Sequence, residues 1–369
     1  MNPHEQFCPN SDCPARGKVG AGNIVSHSQK EQRCKCTSCG RTFSIRKGTA
    51  LYGIKHSVDL FVVVVTLLAH GCPLQAIVAA FGLDERTVRS WYLKAGAHCQ
   101  QVHDQIVGHS QLDLGQVQAD EIKVKTQQGT VWLALALMVS TRLWLGGVVS
   151  SQRDKRLIGR LVAQIRAVAL CRVLLLAVDG LVSYVDAFQK AFRSPLPTGK
   201  RGRRRLIPWQ GIHIVQVIKR RTTRGLSIER RIVQGDALAV GACLKSSQGG
   251  GQINTAFIER LNATFRQCLA CLGRRSRSLA RQAHTLQAGM FLVGCVYNFC
   301  NPHTSLRLPL WISERRCHWV QRTPAMAAGL TDHRWSVLEL LTFKIPPPPF
   351  VPPKRRGRPP KSVLQESPA

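Results

Sequence analysis

The stretch GQVQADEIKVKT, positions 115–126, alternates apolar and polar residues and predicts a β-strand. Asp120 shares a face with Ile122 and Val124, whereas Glu121 shares the other face with two lysines. We therefore expect Asp120 on the core side of a sheet and Glu121 on the polar side. A carboxylate on a buried face is costly unless it is paired or binds a metal.

A second carboxylate ends another predicted strand. CRVLLLAVDG, positions 171–180, is an almost continuous apolar run that closes with Asp179. Residues 154–169 before it have a helical period, and residues 211–219 predict a further strand. In an open α/β sheet the site lies at the carboxyl ends of the strands. Asp179 stands at such an end.

The third carboxylate lies in NTAFIERLNATFRQ, positions 254–267. Apolar residues recur here at helical spacing, and Glu259, Asn262 and Arg266 form an adjacent polar stripe. The pattern predicts a helix that packs on the sheet and directs Glu259 along its edge.

Each acid alone has an ordinary explanation: Asp120 as a bulge residue, Asp179 as a turn former, and Glu259 as a surface ion-pair partner. Together, two aspartates on adjacent strands and a glutamate on a later helix can converge on a pair of Mg²⁺ or Mn²⁺ ions. Two such ions activate the attacking oxygen and stabilise the leaving oxygen in phosphoryl transfer. The three acids are therefore the predicted catalytic and metal-binding residues.

The charge balance indicates a polyanionic partner. The chain has 369 residues, with 52 basic and 20 acidic side chains and a net charge of +32. The first residues show no basic segment followed by an apolar one, and the apolar runs are shorter than a membrane span. We expect a cytoplasmic, nucleoid-associated bacterial protein with no membrane partner.

Two close cysteine pairs predict a structural zinc site. CPNSDC contains Cys8 and Cys13, and CKCTSCGRTF contains Cys36 and Cys39. Four thiolates on two tight turns close a tetrahedral Zn²⁺ site, as in a zinc ribbon. Cys34 is an alternative to Cys36, which we prefer because a Cys-x-x-Cys pair reaches one ion across one turn.

Residues 73–95, PLQAIVAAFGLDERTVRSWYLKA, predict two helices joined by a turn at Gly82, with Asp84 capping the second. The second helix presents Arg86, Arg89 and Lys94, which fits a helix-turn-helix that enters the major groove. An ordinary helical hairpin is the alternative interpretation.

The chain ends in a Pro-rich basic tail. KRRGRPPK, positions 354–361, resembles an AT-hook. Its central Arg356, Gly357, Arg358 and Pro359 suit an extended segment in the narrow minor groove of A·T-rich DNA. A generic basic tail is the alternative. The basic loop at 199–205 is interpreted as a phosphate contact.

The motifs QADEI, AVDG and NTAFIERLNATFRQCLACLGRRSRSLA resemble the three acidic motifs of DDE transposases, in particular the "insertion sequence one" family. The cysteine motifs and the predicted helix-turn-helix resemble the same family, and the similarity extends over roughly residues 7–343. It implies an RNase H-like fold with a mixed sheet. It also places the metal-binding acids at Asp120, Asp179 and Glu259, and a DNA-contacting pair at Asn262 and Arg266.

The resemblance implies a multi-domain α+β protein. Its predicted domains are a zinc ribbon (1–50), a helix-turn-helix domain (51–112), a catalytic domain (113–343) and the basic tail (344–369). The implied activity is cleavage at the ends of a mobile element and strand transfer into target DNA, by a homo-oligomer on double-stranded DNA. The alternatives are a binding-only protein, either a decayed transposase or a repressor, and another RNase H-like nuclease.

Overall fold

The computed structural model describes residues 2–196, 204–223, 225–273, 282–313 and 316–352. These form two compact units: a small one from residues up to Gly48 together with those from Pro346 onward, and a large one spanning Thr49–Ile345. The small unit holds a three-stranded antiparallel sheet. Its strands, in sheet order, are β1 (Ile24–Ser28), β2 (Arg33–Cys36) and β3 (Thr42–Ser44).

The large unit is a mixed α/β structure built on a six-stranded sheet in the order β11-β10-β7-β4-β5-β6. The strands β4, β5 and β6 form an antiparallel meander, β7 and β10 run parallel to β4, and β11 returns antiparallel to β10. Two separate hairpins, β8–β9 and β12–β13, complete its described strands. Their bounds are β4 Gly115–Thr126, β5 Gly129–Met138, β6 Trp144–Ser150, β7 Leu174–Val178, β8 Arg193–Pro195, β9 Leu206–Pro208, β10 Ile212–Thr222, β11 Gly225–Gln234, β12 Leu308–Ser313 and β13 Arg316–Val320.

Ten α-helices occur in the described residues, none of them long and apolar enough to cross a bilayer. They are α1 Val58–Ala69, α2 Leu74–Phe81, α3 Glu85–His103, α4 Lys155–Val168, α5 Val182–Ala191, α6 Ala237–Gln248, α7 Ala256–Cys268, α8 Ala283–Cys295, α9 Pro324–Ala327 and α10 Val337–Thr342. The predicted helix at 154–169 and the predicted strands at 115–126, 171–180 and 211–219 are confirmed as α4, β4, β7 and β10.

Alternate residues of β7 face opposite layers, which sets the architecture of the core. Leu175 and Ala177 pack with Val240 and Leu244 of α6. Leu176 lies in the main core, which also contains the buried face of α4. The sheet is therefore covered on both sides, as expected when parallel strands lie at its centre.

The turn between α2 and α3 has the predicted local structure. Gly82 ends α2 in the left-handed region at φ 61°, which glycine adopts without strain. The Asp84 carboxylate accepts hydrogen bonds from the amides of Arg86 and Thr87, at 2.7 and 3.4 Å, and so caps α3. Trp91 of α3 packs inward.

The predicted boundary at residue 112 does not separate two compact units. Helix α3 packs closely on α8 of the same unit, where a Cβ added to Gly96 would lie 2.4 Å from the backbone oxygen of Ala288. Gln287 also donates to Gln100 at 3.1 Å. The first three helices therefore share a core with the α/β part. The predicted division into a helix-turn-helix domain and a separate catalytic domain did not include this shared core.

Candidate metal centres

Asp120 and Asp179 lie side by side at one edge of the sheet. The parallel register pairs Gln118 of β4 with Ala177 of β7. Asp120 lies two positions after Gln118, and Asp179 lies two positions after Ala177. Oxygen atoms of Asp120, Glu121 and Asp179 all lie within 4.8 Å of one another. The structure thus brings together two of the three predicted acids and adds Glu121.

Asp120, expected on the core side, is only partly buried, and the expectation of a polar side for Glu121 is wrong. The side chain of Glu121 is 1% exposed. The Nε and Nη2 atoms of Arg153 donate to its carboxylate at 3.0 and 2.7 Å, and the fully buried Tyr184 of α5 lies beside it. Arg153 and Tyr184 cover the part of β4 around Glu121, whereas Lys123, two positions later, is exposed. Burial raises the pKa of Glu121 despite the opposing effect of Arg153.

Arg153 is the basic side chain that pairs with the acid cluster. Its Nη2 atom also lies 3.2 Å from Asp179 Oδ2, and its guanidinium carbon lies 5.1 Å from the ring centroid of Trp132. Asp179 in turn accepts a hydrogen bond of 3.0 Å from the amide of Leu181, just before α5. The cluster is therefore held by one side chain and by the start of a helix.

Asp120 is the carboxylate of the acid cluster whose ionised form is disfavoured. Burial raises its pKa to about 6, and the charges of Glu121, Asp179 and Glu259 act in the same direction. Two donors oppose this: the Glu121 amide at 2.8 Å and the side-chain amide of Asn262 at 2.8 Å. A cation placed among these carboxylates would remove the repulsion.

Helix α7 is fixed to β4 by Gln118, which sequence reasoning missed. The side-chain amide of this buried glutamine donates to the Asn254 carbonyl at 2.8 Å, and its oxygen accepts from the amide of Ile258 at 3.0 Å. Both contacts lie at the start of α7. A glutamine on the same face as Asp120 was the available signal, since a buried amide needs partners.

Glu259 stands apart from the group of three carboxylates. Its carboxylate is paired with Lys219 of β10 and accepts a hydrogen bond of 2.6 Å from the hydroxyl of Thr255. Burial acts to raise its pKa, but the hydrogen bonds from Lys219 and Thr255 hold that pKa below its ordinary value. Asn262, three positions after Glu259 on α7, donates to Asp120, so Glu259 lies near the cluster.

The two residues expected to contact DNA from α7 differ in position. Asn262 is fully buried and donates to Asp120, so in this conformation it orients a carboxylate instead of touching a phosphate. Arg266 lies in the last turn of α7 and is partly exposed. Its contact with DNA stays a prediction.

The donor set of the acid cluster fits a hard divalent cation. Three carboxylates converge, and Glu121 Oε1 is buried without a hydrogen-bond partner among the described residues. Mg²⁺ and similar ions take oxygen ligands. A buried carboxylate oxygen without a hydrogen-bond partner among the described residues, beside two further carboxylates, provides oxygen ligands of this kind.

Four cysteines form the second centre and could hold a metal such as zinc. The sulfurs of Cys8, Cys13, Cys36 and Cys39 lie within 4.8 Å of one another, with Cys8–Cys39 at 3.6 Å and Cys13–Cys36 at 3.9 Å. Cys34 is buried but is not part of this group. The choice of Cys36 over Cys34 is confirmed.

Cys36 is poised to ionise. Burial acts to raise its pKa, but hydrogen bonds from the amides of Cys39 and Ser38 lower it to about 7. The side-chain amide of Asn23 lies 3.3 Å from the sulfur. Thiolate is the form that binds Zn²⁺, and amide donors of this kind stabilise it.

The basic residues of α3 differ in exposure and in their partners, and their contact with DNA stays a prediction. Arg86 is exposed, Arg89 pairs with Glu85 at 2.6 Å, and Lys94 donates to the carbonyl of Tyr52. Arg86 and Lys94 line one shallow groove together with His56. The predicted AT-hook residues Arg356, Gly357, Arg358 and Pro359 lie outside the described residues, as do positions 199–203 of the basic loop.

Comparison with protein-family models gives no match, and comparison with curated proteins gives none either. Two groups of side chains in the described parts of the chain can hold metal ions: four thiols and three carboxylates. The function must be inferred from these two centres and from the charge around them.

Proposed function

We propose that the protein is a DNA transposase of the DDE type, which cleaves the ends of a mobile element and joins them to target DNA. The observation that carries this proposal is the convergence of Asp120, Glu121 and Asp179 within 4.8 Å in a chain of net charge +32. A cluster of carboxylates repels DNA phosphates unless cations lie between them. Such a site suits metal-dependent phosphoryl transfer.

Asp120 and Asp179 of this group are proposed ligands of Mg²⁺ or Mn²⁺, and Glu259, which lies outside the group of three carboxylates, is the proposed third ligand. When bound, these ions supply activation of the attacking oxygen and stabilisation of the leaving oxygen. Asn262 orients Asp120, and Lys219 restrains Glu259. Arg153 holds Glu121 and Asp179 together and offsets their charge before DNA enters.

The fold supports this proposal. An antiparallel meander followed by two parallel strands gives the order β6-β5-β4-β7-β10, with α4 and α5 in the connections. This mixed arrangement is consistent with an RNase H-like catalytic domain. The acids lie at the carboxyl end of β7 and beside it on β4, where a site in such a sheet is expected.

The remaining elements are assigned to DNA recognition. The small unit, which holds the cluster of four thiols, is the proposed zinc ribbon, and α2–α3 is the proposed helix-turn-helix. We expect these parts to bind the element ends and the protein to act as a homo-oligomer, because two ends must be held together. The AT-hook-like tail would add a contact in the minor groove.

One observation favours a second candidate, a binding-only protein. Each carboxylate region already has a basic partner, Arg153 for Glu121 and Asp179, and Lys219 for Glu259. A protein that had lost catalysis could keep these ion pairs as structural contacts. Strand chemistry separates the two candidates.

The test is strand cleavage and joining on DNA that carries the ends of the element. Asp120→Asn, Asp179→Asn and Glu259→Gln should each abolish joining with Mg²⁺ while leaving DNA binding intact. Asp113→Asn is the matched control, because Asp113 lies before the first residue of β4, outside the group of carboxylates, and its side chain is 58% exposed. DNA binding without cleavage, under conditions in which a control transposase works, would support the binding-only candidate.

A further inference from the structure

A second cluster of charged side chains lies on another side of α7. Arg142 follows β5 and adopts φ 61°, a left-handed conformation that is strained for a residue with a side chain. Its guanidinium carbon lies 4.0 Å from the ring centroid of Phe257. Arg260 follows Phe257 by three positions on α7, so both project from the same side of the helix.

Tyr297 links Arg142 to a third basic residue. Its hydroxyl donates to the backbone oxygen of Arg142 at 3.1 Å, and its ring lies edge-on to that of His303, with centroids 5.0 Å apart. Burial and then the charges of Arg142 and Arg260 lower the pKa of His303. Burial also lowers the pKa of Arg142, with Tyr297 acting to raise it and Arg260 acting to lower it. Arg142 therefore contacts the side of α7 that carries Arg260, and Tyr297 joins Arg142 to His303.

This cluster has no acidic partner in the described parts of the chain. Arg142 donates to the carbonyl of Val139, and neither Arg142 nor Arg260 forms an ion pair with a described carboxylate. Arg153 and Arg220, in contrast, are each paired with a glutamate. Arg142 is a partly buried cation, and such a charge is costly without an anion. Such an anion would have to come from outside the described chain.

We propose that Arg142, Arg260 and His303 form a binding site for a backbone phosphate of double-stranded DNA. The inference deepens the proposed function and rests on it, because it names where the DNA strand is held. Arg260 follows Glu259 directly on α7, so a strand bound at this cluster passes close to the acids. Arginine suits this task, since its planar guanidinium contacts two phosphate oxygens at once.

The experiment measures equilibrium binding of the full-length protein to a fluorescein-labelled 30-base-pair duplex by fluorescence anisotropy. Binding is followed over a series of NaCl concentrations without Mg²⁺ or Mn²⁺, so that no strand is cut. Arg260→Gln should weaken binding several-fold and reduce the slope of log K against log salt by about 0.9, the loss expected for one phosphate contact. Arg260→Lys should keep the slope, because a point charge remains.

The matched control is Arg172→Gln. Arg172 precedes β7, at the opposite end of the strand from Asp179, and its side chain is 67% exposed. This variant removes the same charge and should leave the salt slope unchanged. Arg142→Lys tests the partly buried member and should weaken binding as well. Arg260 is exposed, so urea unfolding should show that its variants keep the stability of the parent protein.

Equal salt slopes for Arg260→Gln and Arg172→Gln would overturn the inference, as would the absence of duplex binding by the parent protein. A reduced slope for Arg260→Gln in a protein that joins no strands would retain the phosphate site and reject the transposase. The two proposals therefore fail separately.

Discussion

The side-chain amide of Asn262 donates a hydrogen bond of 2.8 Å to the carboxylate of Asp120, although the two residues are 142 positions apart in the chain. This bond ties α7 to β4 at the edge of the sheet where the acids converge. Glu259 precedes Asn262 by three positions on the same helix. The bond therefore helps to fix how far Glu259 lies from the two aspartates.

Asn262→Leu should destabilise the fold. The substitution keeps the branched shape of this buried side chain but leaves an oxygen of Asp120 without its donor, which costs about 1–3 kcal/mol of unfolding free energy. Urea unfolding measures the loss. Gln267→Leu on the exposed side of α7 is the control and should change stability little. Equal stabilities would show that the bond contributes nothing.

Stability should depend on pH through Asp120. Its pKa in the folded protein is raised to about 6, above the unfolded value of about 3.9. The folded state therefore binds the proton more tightly, and this contribution is fully present below about pH 4 and lost as the pH rises through 6. Without Mg²⁺ or Mn²⁺, the free energy of unfolding of the parent protein should fall by about 2–3 kcal/mol relative to that of Asp120→Asn as the pH rises across this window.

Urea unfolding of both proteins at pH 4 to 7.5 measures that difference. The groups around Asp120 are Glu121, Asp179 and Glu259, and all three act to raise its pKa. Added Mg²⁺ should restore stability to the parent protein at pH 7, because a cation favours the ionised carboxylates. A difference that stays constant across the pH range would contradict the account.

Arg153→Gln should leave a buried charge on Glu121 without its counter-ion. Removing one partner of a buried pair costs about 3–5 kcal/mol, and the 36% exposure of the Arg153 side chain reduces the expected loss to about 1–3 kcal/mol. The double variant Glu121→Gln/Arg153→Gln should recover much of the stability. Chemical unfolding of the three proteins checks this, and a double variant no more stable than Arg153→Gln would argue against a buried ion pair.

The thiol cluster should bind one zinc ion per chain. Cys36→Ala removes a sulfur of the group and should abolish tight zinc binding, measured by metal analysis of the purified protein. Cys34→Ala is the matched control, because Cys34 is equally buried and two positions away but outside the group. Equal loss of zinc in both variants would contradict the assignment of the four ligands.

Much of the framework could be predicted from local pattern. Helix caps, the glycine turn at Gly82 and the period of β4 depend on neighbouring residues, so a short window of sequence contains them. The spacing of the cysteine pairs is also local, and it selected Cys36 correctly. The regions that form α5, β11 and α6 gave no such expectation, although Asp236 caps α6 with a hydrogen bond of 2.9 Å to the amide of Ala239.

What the pattern could not provide is which elements cover which face. Alternation gives Glu121 its side of the strand, but its burial comes from Arg153 and Tyr184, more than 30 positions away. Asn262 lies on a polar stripe in sequence, yet it is fully buried because that stripe faces Asp120. Both are consequences of tertiary packing, which no periodicity contains.

The central claim is that Asp179 is a direct ligand of a catalytic divalent cation. Asp179→Cys replaces a hard carboxylate by a softer thiolate, which Mg²⁺ accepts poorly and Mn²⁺ accepts better. Strand joining on DNA carrying the element ends should be lost with Mg²⁺ and restored in part with Mn²⁺, while Asp179→Ala stays inactive with both ions. Equal loss of joining by Asp179→Cys with both ions would contradict the account, as would full joining with Mg²⁺.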